Sequence, residues 1–287
     1  EQELPVLTNL HQRSKKNGAN VSIIDEKTLQ EVEPEAKTFK SALWSHDTAV
    51  VDPKAIMAKL FEELNGLGVT IITDCLFCGY EGKKAVKTSK GIIRFQYLIN
   101  AAGSYADVVA HAFDIGKSYT LLPFKGVYQK CRPNSSVSFV KGNIYPVPDL
   151  RNPFLGVHFT RGADGDVYVG PTAIPCFGRE NYKGLKGIGA EGLNILLGSF
   201  KLLMSNPGFR QVAITEPKKY LQYFLYQDAK KLVQSLSFRD LCASPKVGIR
   251  SQLVHWPTHS LVMDFLIKEG EYSLHVLNAI SPAFLYA

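Results

Sequence analysis

The stretch that most constrains this chain runs from Ile92 to Tyr128, IIRFQYLINAAGSYADVVAHAFDIGKSYTLLPFKGVY. Ile93, Phe95, Tyr97 and Ile99 alternate with more polar neighbours, so the pattern predicts one strand over 92–99. Asn100-Ala101-Ala102-Gly103 then interrupts it, and a helix follows, with Ser104 as its N-cap and Val108, Val109, Ala112 and Phe113 as its buried stripe. Small residues between a strand and a helix let another molecule rest against bare backbone. Doubly wound sheets hold dinucleotides with that geometry. After the helix, Pro123-Phe124-Lys125-Gly126 places a rigid, an aromatic, a basic and a flexible residue in a row. Such a strand can present a cation and an uncovered backbone to a ring.

Two segments carry a family resemblance. INAAGSYAD followed by LPFKGVY is similar to the flavin-contacting core of the D-amino-acid-oxidase-like FAD oxidoreductases. KGNIYPVPDLRNPFLGVHFTRGADGDVYVGPTA, Lys141 to Ala173, resembles the L-2-hydroxyglutarate dehydrogenase branch of that family, and the likeness extends over almost the whole chain. It implies an α/β chain, α+β overall. An incomplete Rossmann-like FAD domain would be joined to a mostly antiparallel substrate domain. The expected division is a helical lead-in over 1–47, FAD-domain segments over 48–118 and 246–287, and the substrate domain over 119–245. The family's opening dinucleotide-binding unit, a GxGxxG turn between strand and helix, is expected to lie outside this sequence. Residues 1–287 alone are then expected to bind FAD weakly.

Length and charge set the outer limits. A chain of 287 residues can bury one large core or two medium ones. No run reaches the roughly 18 apolar residues of a membrane span. Five cysteines at irregular spacing fit reduced thiols. The net charge of +7 comes from scattered lysines; apart from an aromatic cluster near one lysine pair, no basic stripe interleaves with aromatics as a nucleic-acid groove requires. It suits a solvated surface biased toward anionic partners.

Leu4, Leu7 and Leu10 lead a helix closed by Asn17-Gly18. Val21–Ile24 reads as a strand, and Asp25 caps a helix that stops at Pro34. Asp52-Pro53 starts a helix with Ile56, Met57, Leu60, Phe61 and Leu64 on one face, followed by a buried strand over Val69–Thr73. Lys83–Lys90 reads as a polar hairpin tip. Cys75-Leu76-Phe77-Cys78 has CxxC spacing, but no second pair or histidine follows at ligand spacing, and the pair sits at a strand end, so it reads as structural. Short strands are expected over 137–140, 154–160 and 166–172 around a 162–165 hairpin loop. Leu193, Leu196, Leu197, Phe200 and Leu203 recur at helical spacing and predict a core helix. Lys218–Tyr226 reads as a domain-packing helix, with a peripheral membrane anchor as the alternative.

Along 154–160, Leu155, Val157 and Phe159 share one face and Gly156, His158 and Thr160 the other. His158 thus projects away from the apolar face beside a glycine, a setting open both to a structural and to a catalytic histidine. His275 stays a second candidate, because the resemblance places its segment against the flavin. The resemblance implies FAD-dependent oxidation of L-2-hydroxyglutarate to 2-oxoglutarate, with electrons passed to a quinone or other acceptor. It implies His158 as base; Arg250, Lys125 and Thr160 at the substrate; and Ala102, Gly103, Gly126, Gly248, Asn278 and Ser281 along the FAD. Val247-Gly248-Ile249-Arg250 and Leu274–Ala283 resemble the family's last flavin-side segments. Lys125, in the earlier segment, and Ile280 depart from the family's pattern, where arginine and proline are the commoner residues. It further implies a cytoplasmic or peripheral inner-membrane location. Another superfamily substrate, an amino acid or glycerol 3-phosphate, is the rival within this class. A non-catalytic fragment without cofactor is the rival outside it.

Overall fold

A computed structural model describes residues 2–148, 156–184 and 186–279. In chain order the elements are α1 (Leu4–Lys16), β1 (Val21–Asp25), α2 (Glu26–Val32), β2 (Ser41–Ser45), α3 (Pro53–Gly66), β3 (Phe77–Gly82), β4 (Ala85–Thr88), β5 (Gly91–Arg94), β6 (Leu98–Asn100) and α4 (Ala106–Ala112). There follow β7 (Tyr119–Cys131), β8 (His158–Arg161), β9 (Val167–Gly170), β10 (Ile174–Pro175), α5 (Gly192–Ser205), α6 (Pro207–Thr215), α7 (Gln222–Ala229), β11 (Leu241–His255), β12 (Ser260–Leu261), β13 (Leu266–Gly270) and β14 (Ser273–Asn278). This is the expected mixture of helices and largely antiparallel sheet.

The chain forms two compact units. The first comprises 1–63, 126–173 and 214–247; the second comprises 64–125, 174–213 and 248–287. In the first unit β8 pairs antiparallel with β9, and β9 with the C-terminal half of β7. One face of this sheet is a core of Val137, Val140, Val157, Phe159, Val167 and Val169 closed by Leu225, Ala229 and Val233. Beside it the antiparallel β1–β2 pair and α2, which connects the two strands, enclose Ile24, Leu29 and Ala36. Asp25 caps α2 as expected, its carboxylate accepting the Thr28 N–H at 2.8 Å.

In the second unit β6 pairs parallel with β14, and β14 antiparallel with β13. Parallel pairing needs a long crossover, and here most of the chain separates the partners. Ala106, Ala110, Leu121, Leu253 and Leu277 form the core beside this sheet. The polar hairpin tip expected over Lys83–Lys90 is corrected: its middle is β4, the central strand of a separate meander β3-β4-β5, with Ala85 and Val86 buried.

Several expectations are corrected. The strand predicted over 92–99 is two strands in two sheets, broken at 95–97, where the Phe95 N–H turns to the Lys84 carbonyl. Val69–Thr73 is irregular rather than a buried strand, and Val69 and Ile72 are exposed. The expected apolar face of α3 is exposed at Met57, Leu60, Phe61 and Leu64. Residues 136–139 form a single 3-10 turn, set by serine hydroxyls at 135 and 138 that bond to backbone carbonyls. Residues 217–220 are likewise a 3-10 turn, distinct from α7. Around α4 the cap is Tyr105 rather than Ser104, which lies in a 3-10 turn over 103–105. The buried positions of α4 are Ala106, Asp107, Val109 and Ala110, whereas Val108 is exposed. Finally α5 buries Gly192, Ile195 and Leu202, and most of its predicted core stripe faces outward. Periodicity locates an apolar face; it does not say what covers it.

Asp107 and Arg179, both nearly fully buried, form a two-pronged pair: Nη1 to Oδ1 at 2.6 Å and Nη2 to Oδ2 at 3.0 Å. Removing one partner leaves the other charge buried alone. Arg179→Met should therefore cost about 3–5 kcal/mol in urea unfolding.

Candidate active site

In the second unit the small-residue corner is built by one buried side chain. Asn100 ends β6; its amide donates to the Ala106 carbonyl at 2.8 Å, and its carbonyl accepts the Ala102 N–H at 3.2 Å. These two bonds fold 101–105 back over the strand end. Ala101, Ala102 and Gly103 are exposed at the resulting turn. Gly103 has φ +54°, and a Cβ there would meet nothing within 4 Å, so the site has open space beside it. Arg179 also reaches the Ser104 carbonyl, and the hydroxyl of Ser251 donates to that of Ser104 at 2.9 Å.

His275 braces this corner. It is fully buried, with Nδ1 3.1 Å from the Asn100 amide nitrogen and Nε2 2.9 Å from the Ser273 hydroxyl. Asn100 donates to Nδ1, so Nε2 carries the proton and donates to Ser273. Burial lowers its pKa. Both nitrogens are committed, which suits a structural role.

The other predicted residues of this unit lie as follows. Lys125 donates from Nζ to Asn181 Oδ1 at 3.2 Å. Arg250 is half-buried, and burial lowers its pKa. Gly248 has open space where a Cβ would go. Asn278 is buried, its amide donating to the Val262 and Asp264 carbonyls. Ser281 lies outside the described residues.

In the first unit His158 and Thr160 share one face of β8, opposite the Phe159 side that joins the core. The imidazole of His158 stacks on Tyr145, with centroids 4.4 Å apart at 28°. Its Nδ1 is 2.9 Å from the Gly156 carbonyl. A carbonyl can only accept, so Nδ1 bears the proton and the lone pair of the neutral ring sits on Nε2. Burial lowers its pKa, and the charge of Lys246 adds to that. Lys246 extends over the ring of Tyr168 at 4.2 Å and that of Tyr128 at 5.3 Å. Burial raises the pKa of Tyr128 and Tyr145, so both stay protonated donors. Gly126 is needed here for packing: a Cβ would lie 3.0 Å from Pro171 Cβ.

Sequence reasoning missed Asn100, Asp107, Arg179, Tyr145 and Lys246. Tyr168 was recoverable once the register is known, since it lies opposite Thr160 across β8–β9. The GxGxxG spacing does occur, at Gly187-Ile188-Gly189-Ala190-Glu191-Gly192. A loop precedes it rather than a strand, and two of its three glycines serve close packing: a Cβ at Gly187 would meet the Glu180 carbonyl at 2.1 Å, and one at Gly192 the Phe177 carbonyl at 2.9 Å.

The sequence matches the FAD dependent oxidoreductase (DAO) family over residues 1–281. The chain belongs to this family. Among named relatives it is 29% identical to the mitochondrial L-2-hydroxyglutarate dehydrogenase of Homo sapiens, over 99% of this chain and 65% of that protein. It is 32% identical to the L-2-hydroxyglutarate dehydrogenase of Indibacter alkaliphilus, over 99% of this chain and 71% of that one. The chain thus spans about two thirds of the length of the relatives it matches. Its fold is similar to that of the L-alpha-glycerophosphate oxidase of Mycoplasma pneumoniae with FAD bound: TM-score 0.66, 18% identity, covering 98% of this chain and 66% of that one. As a family member it is built for FAD, and the residues of the corner fit such a group. Ala101–Gly103 are small, exposed and held by buried partners, with open space at Gly103.

A histidine whose folded pKa is lowered favours the unfolded chain once solution pH drops below the unfolded value. His158 and His275 should both act this way, so stability should be full above about pH 6.5 and fall as pH drops toward their folded pKa values. NMR titration should give His158 a midpoint below about 6.5, and Lys246→Met should raise it.

Proposed function

We propose that the protein containing this chain oxidises L-2-hydroxyglutarate to 2-oxoglutarate with FAD, and that the electrons leave to a quinone or another acceptor. The observation that carries the reading is His158: a buried imidazole held neutral, with Nδ1 occupied by the Gly156 carbonyl and the lone pair on Nε2. The substrate follows the names of the relatives that match almost the whole chain at about this level of identity.

Bound flavin supplies the two-electron acceptor for the carbinol hydride. The chain's own residues do the rest. Ala102 and Gly103 hold the cofactor through exposed backbone, with Gly126, Gly248 and Asn278 as further contacts. His158 Nε2 takes the carbinol hydroxyl proton, and the bond from Nδ1–H to the Gly156 carbonyl stabilises the imidazolium that results. Thr160, on the same face of β8, orients the substrate, while Arg250 and Lys125 serve its carboxylates. Burial, with a smaller push from the charge of Lys246, keeps His158 deprotonated at neutral pH, so the base is ready before substrate arrives. Placement in the cytoplasm or peripherally at an inner membrane follows from the same reading, mitochondrial in a eukaryote.

Full-length enzyme should be yellow and should bleach on anaerobic addition of L-2-hydroxyglutarate. His158→Gln should slow the bleaching by about 10²–10⁴-fold while leaving flavin content unchanged. Bleaching only by amino acids or glycerol 3-phosphate would replace the substrate, and an unimpaired variant would remove His158 from the reaction.

A further inference from the structure

The sheet face that carries His158 also holds a cation with no counter-ion. His158 and Thr160 share that face of β8, and across the ladder they stand opposite Gly170 and Tyr168 of β9. A Cβ at Gly170 would lie 3.1 Å from Tyr128 Cδ1, so the Tyr128 ring rests against bare backbone beside the His158 position. Lys246 of β11 brings its ammonium to 5.3 Å from the Tyr128 ring centroid and 4.2 Å from that of Tyr168. His158, Thr160, Tyr128, Tyr168 and Lys246 therefore form one contiguous cluster, and all of them belong to the first unit.

Two lysines border this cluster in different states. Lys130, opposite Tyr168 on β7, is paired with Asp166 at 2.5 Å. Lys246 is exposed and, among the described residues, makes no ion pair. Asp164, which feels its charge, turns instead to the Tyr168 hydroxyl at 2.6 Å. Aromatic faces hold an ammonium in place without neutralising it. Tyr128, kept protonated by burial, adds a hydroxyl donor. A cation fixed by rings beside a phenol donor is a seat for a carboxylate.

Its distance from the base selects which carboxylate. Thr160 and Tyr168 lie two residues along the ladder from His158 and Gly170, a step of about 7 Å. The charge of Lys246 is the smallest of the influences on the His158 ring, as fits a cation set back from it rather than against it. A hydrogen bond at each end takes up roughly 3 Å. One molecule that touches both Nε2 and the ammonium therefore needs several bonds between its hydroxyl and its anion. The carboxylate attached to the carbinol carbon is too close, whereas one at the far end of a five-carbon diacid fits.

We infer that Lys246 determines substrate specificity: its ammonium, held by the rings of Tyr128 and Tyr168, pairs with the substrate carboxylate remote from the carbinol whose proton His158 takes. The inference rests on the proposed 2-hydroxy-acid oxidation and deepens it, leaving Arg250 and Lys125 to the carboxylate next to the carbinol.

Full-length enzyme with bound FAD gives two independent readouts. Glutarate, the diacid without the hydroxyl, tests the lysine without any redox step. By calorimetry it should bind the oxidised enzyme about 10–100-fold more weakly in Lys246→Met, with unchanged circular dichroism and unfolding midpoint. Lys246→Arg should keep most of the affinity, and Lys130→Met should bind as wild type does. In anaerobic flavin bleaching, Lys246→Met should raise the KM for L-2-hydroxyglutarate by the same factor with kcat largely kept. It should leave the KM for L-2-hydroxypentanoate, which ends in a methyl group, unchanged. No glutarate binding to the wild type, an unaffected Lys246→Met, or equal loss in Lys130→Met would overturn the inference. Glutarate binding that depends on Lys246, in an enzyme that L-2-hydroxyglutarate does not bleach, would uphold the carboxylate seat and overturn the proposed reaction instead.

Discussion

One buried carboxylate organises the second unit. Asp107 sits in the first turn of α4 and is almost completely buried. Its Oδ2 accepts the Leu121 N–H at 2.9 Å as well as Arg179, and its Oδ1 accepts the other guanidinium nitrogen. Arg179 in turn holds the Ser104 carbonyl and Glu191. A charge out of water is tolerated only when its lone pairs are met, so the helix start, the beginning of β7 and the loop before α5 must all arrive together. Through the Arg179 contact to the Ser104 carbonyl, that requirement adds to the Asn100 bonds that shape the small-residue corner. Alanines and a glycine there leave the backbone uncovered, while the atoms that fix its shape lie underneath.

The two buried histidines commit their ring nitrogens differently. Each has its pKa lowered by burial, so each is neutral at physiological pH. His275 spends both nitrogens on Asn100 and Ser273, within contact of Phe113, and its work is to hold β14 against the corner. His158 spends one nitrogen on a backbone carbonyl and packs its ring on Tyr145. A general base needs that division: one nitrogen oriented by the fold, the other with its lone pair in hand.

What was legible in the sequence is what local chemistry fixes. The caps and breakers around α1, α2 and α3 place those helices, because Asp25, Asn17-Gly18 and Asp52-Pro53 act on their own neighbours. Period two put His158 and Thr160 on the face opposite Phe159, since alternation in a strand needs no knowledge of its partner. Legibility ends where the partner is distant. The 92–99 pattern alternates throughout, yet β5 and β6 join different sheets, and only pairing with β4 and β14 reveals the break. The α5 stripe reads as core because periodicity is blind to what lies opposite. Arg179 and Lys246 are single basic residues in unremarkable surroundings, far in sequence from Asp107 and His158, and no spacing rule links them.

The most direct test of this account is native-state hydrogen exchange at the Leu121 amide, whose proton is donated to Asp107. If the buried carboxylate holds the unit together, this amide exchanges only through global unfolding, and its protection collapses in Asp107→Ala to the level of an exposed loop. Rapid exchange at Leu121 in the unmodified, folded protein would contradict the account.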